Sequence, residues 1–524
     1  RSNKYPYSDF LLVSTTKSKQ EDPINLLKSG FKCITLKSFC DYNNFLYTND
    51  MDNDDETIFF SGIITSAKEY VVGQKELKGK KIDIVDNLGS YSYVLNENSG
   101  IIAGRDFFNM CKLYYYQKEG LFLISNSYHL LLIALVNLNE NLNFNLKKVF
   151  STLSIPGTQI LAQNFSSEME ILGVKMLQPY YNIQLNKNGW ILKKNNMYKI
   201  LESKEPFHAN VYGHLLDEAC MEIKNNVTHI CDASPHVIVD LTGGMDSRII
   251  YGAITKTDNL SINSNKGNGN AEVEIASMVN RVKNIPFDTS LDAIRMITLN
   301  EADAWMRSHC MEQTYEFVLD ASYIYPENRT SIIGAFGEVL TRPEYSKHCF
   351  EIPCEDITLN SILELYLSKI KHNMITKEDA FDSLKQFILK ELQDYPTGSQ
   401  YEKLETHYLS FRHSLHFDVV KENNRNNLVV MPMQSTSLFK AHHISLDHFK
   451  DMRLAFDLLG KLDPKLLSFP YEHENYNQEY ERLKNNLKIY ENAKSYSQLD
   501  IDLKPWIDAQ EIKNKKCIAF KKDN

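Results

Sequence analysis

The stretch VIVDLTGGMDSRIIYG, from Val237 to Gly252, starts as a continuous β-branched run and resumes apolar periodicity after two glycines. Continuous apolar runs are typical of strands buried on both faces of a parallel sheet. The stretch therefore predicts a strand, a tight turn and a helix, in that order. Gly243 and Gly244 lack a Cβ atom, so the turn can take positive φ angles and another group can approach its backbone closely.

The start of the predicted helix offers a site for an anion. Its first N–H groups have no partner within the helix, and the helix dipole adds positive charge there. Thr242 and Ser247 place hydroxyl donors at the two ends of the loop, which favours a phosphate site. Asp246 would repel phosphate unless a divalent cation bridged them, so phosphate with Mg²⁺ is the economical interpretation. The alternative is a turn that only packs the helix onto the sheet.

The loop Thr242-Gly243-Gly244-Met245-Asp246-Ser247 resembles the Ser-Gly-Gly-x-Asp-Ser loop of the asparagine synthetase-like members of the N-type ATP pyrophosphatase (PP-loop) family. In that family the loop holds the phosphates that leave as pyrophosphate, and a substrate carboxylate attacks the α-phosphorus to give an acyl-adenylate. The resemblance implies ATP and Mg²⁺ as cofactors. The nucleotide-binding residues it implies are Thr242, Gly243, Gly244, Asp246 and Ser247, and Asp246 is also an implied metal ligand.

A second loop follows in the segment SIIGAFGEVLTRPEY. Ser331 to Ile333 predicts a short strand, and Gly334 and Gly337 predict a turn after it. The resemblance implies that Gly334 contacts the nucleotide and that Glu338 replaces the aspartate of the family's Ser-Gly-x-Gly-x-Asp-Glu motif as a second metal ligand. The glycine spacing departs from that motif, and the alternative is a plain strand, turn and helix with a solvated Glu338.

Between the two loops, Leu260–Asn263 predicts a strand, and an apolar stripe predicts a helix from Ala271 to Val282. The resemblance places the adenine near the end of this strand and implies Ser264 and Asn265 as base or ribose contacts. Residues 267–270 are predicted to form a loop rather than a dinucleotide fingerprint. A long helix is predicted from Ala209 to Asp232.

The N-terminal part is predicted to be rich in β-hairpins, with polar, glycine-closed turns at 96–100 and 186–189. The segment GRDFFNMCKLYYY, Gly104–Tyr116, and the later FLISNS and IPGTQILAQNFSSEMEILGVKMLQPYYNIQL resemble landmarks of the glutaminase half of asparagine synthetase. The implied fold class is α/β and α+β. Residues 1–204 would form a degenerate N-terminal nucleophile (Ntn)-hydrolase-like αββα sandwich of the class II glutamine amidotransferase type, and residues 205–524 a PP-loop α/β synthetase domain.

The glutaminase chemistry itself is not expected. That chemistry requires a cysteine as first residue, whereas this chain begins Arg1-Ser2-Asn3 and its earliest thiols, Cys33 and Cys40, are internal. Ser61-Gly62-Ile63 stands where the family's Asn-Gly-Glu would hold glutamine. We therefore predict an ATP-dependent amide ligase whose amine does not come from glutamine, similar to β-lactam synthetases and lasso-peptide macrolactam synthetases. Intermolecular condensation, adenylation followed by thiolation, and a catalytically inert nucleotide-binding partner protein are the alternatives.

Residues for the amide-forming step are sought after the segment NNLVVMPMQSTSLFKAHH, where Pro432 matches the family and its aspartate is missing. Lys450 and Arg453 are candidates for the cation that stabilises charge on the leaving pyrophosphate. Tyr471 and Glu472 resemble a tyrosine–carboxylate pair able to accept a proton from the amine, the alternative being an exposed turn.

Composition restricts the partners. A net charge of -9 disfavours a large nucleic-acid surface, and no apolar run reaches membrane-spanning length. The nine cysteines lack CxxC pairs, which favours reduced, mostly buried thiols and a cytoplasmic protein. His442, His443 and His448 suggest either a metal site or, more commonly, exposed helix residues. The expected partners are a small-molecule or peptide carboxylate and an amine, with a homodimer or a partner protein left open.

Overall fold

The computed structural model describes residues 6–16, 24, 26, 30–39, 41–50, 57–78, 80–153, 164–203, 205–264, 270–288, 295–296, 323–324, 329–350, 358–371, 378–414 and 427–484. Within these residues the protein is a mixed α/β structure with two six-stranded sheets, one four-stranded sheet and one two-stranded sheet. Among the described helices, none is long and apolar enough to cross a membrane.

Antiparallel hairpins build the two six-stranded sheets. Their strands are β1 (Phe10–Thr15), β2 (Lys32–Phe39), β3 (Tyr42–Thr48), β4 (Ile58–Thr65), β5 (Tyr70–Val72), β6 (Gly89–Glu97), β7 (Gly100–Arg105), β8 (Tyr114–Lys118), β9 (Leu121–Ser125), β10 (Val174–Met176), β11 (Tyr181–Asn186) and β12 (Gly189–Lys194). The strand orders are β10-β8-β9-β1-β3-β2 and β12-β11-β7-β6-β4-β5. The predicted turns are confirmed, because β6 and β7 pair up to Glu97 and Gly100 and β11 and β12 up to Asn186 and Gly189.

The two sheets pack face to face because their strands alternate between two apolar faces. Phe10 and Leu12 of β1 share a core with Phe59 of β4, in the other sheet. Leu11 and Val13 point the opposite way, into a core shared with helix α2, Tyr128–Asn137. On the outer face of the second sheet, the described helical cover is the five-residue α1, Gly73–Leu77. The predicted sandwich of facing sheets is therefore observed, with α2 packed on the outer face of one sheet and α1 on that of the other in the described residues.

The four-stranded sheet is parallel and has the order β14-β13-β17-β18. Its strands are β13 (Val237–Asp240), β14 (Leu260–Asn263), β17 (Arg329–Ile332) and β18 (Asn427–Val430), and the short β15 (Arg295–Met296) and β16 (Tyr323–Ile324) pair separately. The chain passes from β13 to β14 on one side and from β17 to β18 on the other, so the connections after the neighbouring strands β13 and β17 run in opposite directions. Ligands of parallel sheets bind at such a switch point, beyond the carboxyl ends of the strands.

The remaining helices surround this sheet and join it to the sandwich. They are α3 (Leu146–Leu153), α4 (Asn196–Glu202), α5 (Ala209–Ala233), α6 (Met245–Ala253), α7 (Asn270–Asn280), α8 (Gly337–Leu340), α9 (Leu359–Lys371), α10 (Glu378–Asp394), α11 (Gln400–His407), α12 (Thr436–Phe449), α13 (Arg453–Leu462) and α14 (Glu474–Lys484). A π-helix, Tyr408–His413, continues α11. The predicted helices at 209–232 and 271–282 are confirmed, the latter ending two residues earlier because the chain turns at Arg281.

Direct contacts join the sandwich to the parallel sheet. Gly89 donates its N–H to Gln434 Oε1 at 2.6 Å, and Gln434 Nε2 donates back to the Gly89 carbonyl at 2.9 Å. The ring centroids of Phe108 and Phe336 lie 5.0 Å apart, and those of Phe108 and Phe439 lie 5.8 Å apart. The predicted boundary at 204 falls between α4 and α5 and stays a prediction.

The burial of the α12 histidines and of the cysteines can be compared with the predictions. His442 is buried and His443 half-buried, because α12 packs between α5 and α11, and burial lowers the pKa of His442 to about 4. His448 is exposed, as predicted, and stacks on Phe207. The prediction of mostly buried thiols is confirmed for the described cysteines, because Cys111, Cys220, Cys231 and Cys349 are buried and Cys33 is half-buried.

Candidate functional site

The phosphate loop connects β13 to α6 at the switch point of the parallel sheet. Ser247 Oγ accepts the N–H of Thr242 at 3.0 Å and lies 3.0 Å from the Thr242 hydroxyl, and that hydroxyl accepts the N–H of Gly244 at 3.2 Å. Gly244 is the N-cap residue of α6, with φ -82° and ψ 174°, and as a glycine it supplies no side-chain hydrogen bond to the start of the helix. The uncapped helix start can therefore take up an anion.

Gly243 serves close packing and not an unusual backbone angle. Neither Gly243 nor Gly244 takes the positive φ that glycine allows. A Cβ atom on Gly243 would instead lie 2.8 Å from the Cβ of Glu472. The Gly243 carbonyl accepts the N–H of Glu472 at 3.1 Å. The predicted close approach thus comes from a segment more than two hundred residues later in the chain.

The second loop packs directly on the first turn of α6. A Cβ on Gly334 would lie 2.6 Å from the Ser247 nitrogen, and a Cβ on Gly337 would lie 2.2 Å from Asp246 Cγ. Phe336, between these glycines, has φ 80°. The two predicted loops therefore meet, and glycine is needed at both positions because another side chain would overlap α6.

Asp246 forms a two-point ion pair with Arg342. Arg342 donates from its two terminal nitrogens to Asp246 Oδ1 at 2.8 Å and Oδ2 at 2.9 Å. Burial raises the pKa of Asp246 to about 6, with nearby Glu338 adding to the rise, although Arg342 opposes it. Forked pairs of this kind are strong and directional. In this structure Asp246 thus has a cation on both of its oxygens.

Glu338 lies beside Asp246 and is paired with His413 of the π-helix. His413 Nδ1 and Glu338 Oε1 are 2.8 Å apart. Burial alone would raise the pKa of Glu338, but His413 and Arg342 outweigh it and hold the pKa below its ordinary value. The solvated alternative for Glu338 is wrong, because its side chain is only 13% exposed.

The two carboxylates fit a magnesium–nucleotide complex better than a metal cage. Mg²⁺ prefers hard oxygen ligands and commonly takes one or two carboxylates together with substrate phosphates. Asp246 and Glu338 provide such oxygens close enough to influence each other's pKa. Within the described ranges, no group of three or more His, Cys, Asp or Glu could hold a metal by itself. Asp246 would have to exchange Arg342 for the ion.

Ser264 lies at the carboxyl end of β14, next to the strand that leads into the phosphate loop. Its side chain is 1% exposed, and its Oγ has no hydrogen-bond partner within the described part of the chain. Buried hydroxyls are normally paired, so this orphan hydroxyl is consistent with a contact to a bound base or ribose. Asn265 and the loop predicted after it lie outside the described residues.

Another acidic residue, Glu272 in the first turn of α7, lies near Gly243. The Cα of Glu272 is 3.6 Å from where a Gly243 Cβ would stand. Burial, together with the negative charge of Glu472, raises the pKa of Glu272 to about 7. The loop is therefore flanked by two carboxylates, one of which changes charge near neutral pH.

Tyr471 is buried, so the exposed-turn alternative is wrong. Its ring stacks on the Arg248 guanidinium at 3.9 Å, and burial raises the pKa of Tyr471 to about 12. Arg248 also donates to the carbonyls of Phe469 at 2.9 Å and Pro470 at 2.6 Å. Arg248 thus ties the 469–472 segment to α6 and brings Glu472, rather than the Tyr471 hydroxyl, against the loop backbone.

Lys450 and Arg453 lie at the junction of α12 and α13. The Lys450 ammonium is 4.8 Å from the Tyr401 ring centroid, and Lys450 itself ends α12 with φ 54°. Arg453 approaches Asp457 at 3.6 Å and lies over the Phe449 ring. These contacts are with helices, so the role of either cation toward pyrophosphate stays a prediction.

Ser61 and Gly62 are contacted by the segment that leads into β1. Gly62 donates its N–H to the Pro6 carbonyl at 2.8 Å. Ser61 Oγ accepts the N–H of Ser8 and donates to its carbonyl, both at 2.8 Å. Residues 1–3 and Cys40 lie outside the described residues. The Ser61-Gly62 backbone is therefore occupied by the segment that leads into β1.

Sequence reasoning missed Arg248, Glu272, Arg342 and His413. Arg248 directly follows the recognised loop, and Arg342 lies four residues after Glu338. A charged residue that close to a predicted ligand was the available signal. His413 carried no such signal, because it is 75 residues from Glu338 in the chain.

No known protein family and no curated protein sequence matches this chain. Among solved structures, a B. subtilis glutamine phosphoribosylpyrophosphate amidotransferase complexed with ADP and GMP aligns with TM-score 0.20 and 6% identity, over 72% of this chain and 92% of that one. The allosteric regulatory enzyme of purine biosynthesis aligns with TM-score 0.18 and 6% identity, over 73% and 87%. Similarity this weak carries no functional argument.

Proposed function

We propose that the protein is an ATP-dependent amide ligase that adenylates a carboxylate, releases pyrophosphate and transfers the acyl group to an amine that does not come from glutamine. The observation that carries the proposal is the meeting of the two glycine loops at the sheet's switch point, with Glu338 close enough to Asp246 for its charge to raise the pKa of Asp246. The uncapped start of α6 would bind phosphate, and the two carboxylates would hold Mg²⁺ against it. When bound, the ion neutralises charge on the leaving pyrophosphate.

The amine would be a group of the same substrate, as in the β-lactam or macrolactam type of reaction, or of a second molecule. Glu472 supports the proton-accepting role, because it lies against the loop and beside Glu272, whose pKa is near neutrality. Ser264 supports the nucleoside contact.

Nucleotide product analysis tests the proposal. Purified protein with Mg-ATP and a fractionated extract of its native host should form AMP and pyrophosphate, and Asp246→Asn should not. Gly213→Ala, at an open position of α5, is the matched control and should behave as wild type. Formation of ADP, or ATP binding without turnover in every fraction, would remove the ligase proposal.

One observation favours the alternative of a nucleotide-binding partner protein without catalysis. Both carboxylates of the site are already paired, Asp246 with Arg342 and Glu338 with His413. ATP binding that is independent of Mg²⁺ and is followed by no product in any fraction would support this alternative.

A further inference from the structure

We propose that Arg342 changes its anionic partner when nucleotide binds. It pairs with Asp246 while the site is free of nucleotide, and it moves to the β- and γ-phosphates when a divalent cation binds Asp246. This inference rests on the proposed function and adds a residue for stabilising the leaving pyrophosphate. It begins from the forked pair at 2.8 and 2.9 Å.

The position of Arg342 suits both partners. Asp246 belongs to the first turn of α6, so a guanidinium on its carboxylate lies at the helix end that is predicted to bind phosphate. Phosphate oxygens accept two parallel N–H bonds from a guanidinium, as a carboxylate does. A short movement of the same side chain could therefore exchange one anion for the other.

Neighbouring groups would retain the side chain during this exchange. Arg342 Nε lies 3.5 Å from Glu344 Oε2, and the guanidinium lies 5.6 Å from the Tyr476 ring centroid. Neither contact involves Asp246. The Arg342 side chain is 13% exposed, so its guanidinium, left without Asp246, would be a poorly hydrated charge that needs a new anion.

The exchange also solves a charge problem. Without a cation, a triphosphate at this loop would face the negative charges of Asp246 and Glu338. In adenylation the substrate carboxylate oxygen bonds to the α-phosphorus, and the bond to the bridging oxygen breaks with its electron pair going to pyrophosphate. Mg²⁺ on the two carboxylates and Arg342 on the phosphates would both stabilise the negative charge that develops on pyrophosphate.

The test compares ATP with AMP, which lacks the phosphates that Arg342 would contact. Isothermal titration with Mg²⁺ should show Arg342→Gln raising the Kd for ATP by about tenfold or more while leaving the Kd for AMP nearly unchanged. Arg342→Lys should recover part of the loss. Asp246→Asn should bind Mg-free ATP more tightly than wild type, and adding Arg342→Gln should abolish that gain.

Arg329→Gln is the matched control. Arg329 is buried and lies 2.5 Å from Asp288, but it begins β17, so it lies at the amino ends of the strands, whereas the loops follow their carboxyl ends. This variant should be destabilised in thermal unfolding with an unchanged ratio of ATP to AMP affinity. An unchanged ratio in a folded Arg342→Gln would overturn the exchange alone. Absence of ATP binding by the wild type would overturn the proposed function as well.

Discussion

Replacing Gly337 by alanine tests whether the second loop positions Asp246. An ideal Cβ at this position lies 2.2 Å from both Cγ and Oδ1 of Asp246, whereas ordinary contacts begin at 3.4 Å. The carboxylate or the loop must therefore move by about 1 Å, and overpacking of this kind costs about 1–3 kcal/mol. Since 1 kcal/mol shifts Tm by about 2–4 °C in a domain of ordinary size, Gly337→Ala should unfold several degrees earlier.

The same displacement would spoil the fork between Asp246 and Arg342 and should weaken Mg-ATP binding. Thermal unfolding with and without Mg-ATP measures both effects in one assay. Gly213→Ala is the control, since nothing lies within 4 Å of that position, and it should stabilise by about 0.5–1 kcal/mol. In an Asp246→Ala background the cost of Gly337→Ala should fall, because the overlapping Cγ is gone. Equal Tm and ATP affinity for Gly337→Ala and wild type would refute this reasoning.

Three further predictions concern other contacts. Arg248→Met leaves buried carbonyls without their donor and should lower the unfolding free energy by about 3 kcal/mol or more, read by denaturant unfolding; a loss near zero would exclude the anchoring role. The pKa of Glu272 is raised to about 7 from 4.5 by burial and by Glu472, so the folded state binds more protons than the unfolded chain between these pH values and stability falls as pH rises. Glu472→Gln should flatten that fall, measured as Tm against pH; an identical slope would contradict the coupling. Gln434→Ala removes both bonds to Gly89 and should lower Tm and speed hydrogen exchange of the Gly89 amide; unchanged exchange would argue against the junction.

Local features of the fold could be predicted from the sequence. The strand at Val237, the helix after the glycines and the hairpin turns at 96–100 and 186–189 all depend on neighbours within a few residues. Hydrophobic periodicity and turn residues report such neighbours directly. The close approach at Gly243 was also predicted, but its source at Glu472 was not.

The features that were not predicted depend on distant parts of the chain. Arg342 is 96 residues from Asp246, and no periodicity connects them. Glycine allows positive φ at Gly243 and Gly244 but neither takes it, whereas Phe336 does, because tertiary contacts override local preference there. The burial of His442 was not predicted for the same reason, because whether a helix is packed on two faces depends on which other helices lie beside it.

The aromatic contact between Phe108 and Phe336 lets the sandwich shape the candidate site. Phe336 holds a backbone conformation that bulky residues rarely adopt, with its ring 5.0 Å from Phe108 and 4.3 Å from His413. A fragment beginning at residue 205 would lack Phe108, and the turn that presents Glu338 would be free to relax. The sandwich therefore restrains the turn that carries Glu338, and its removal would loosen the candidate site.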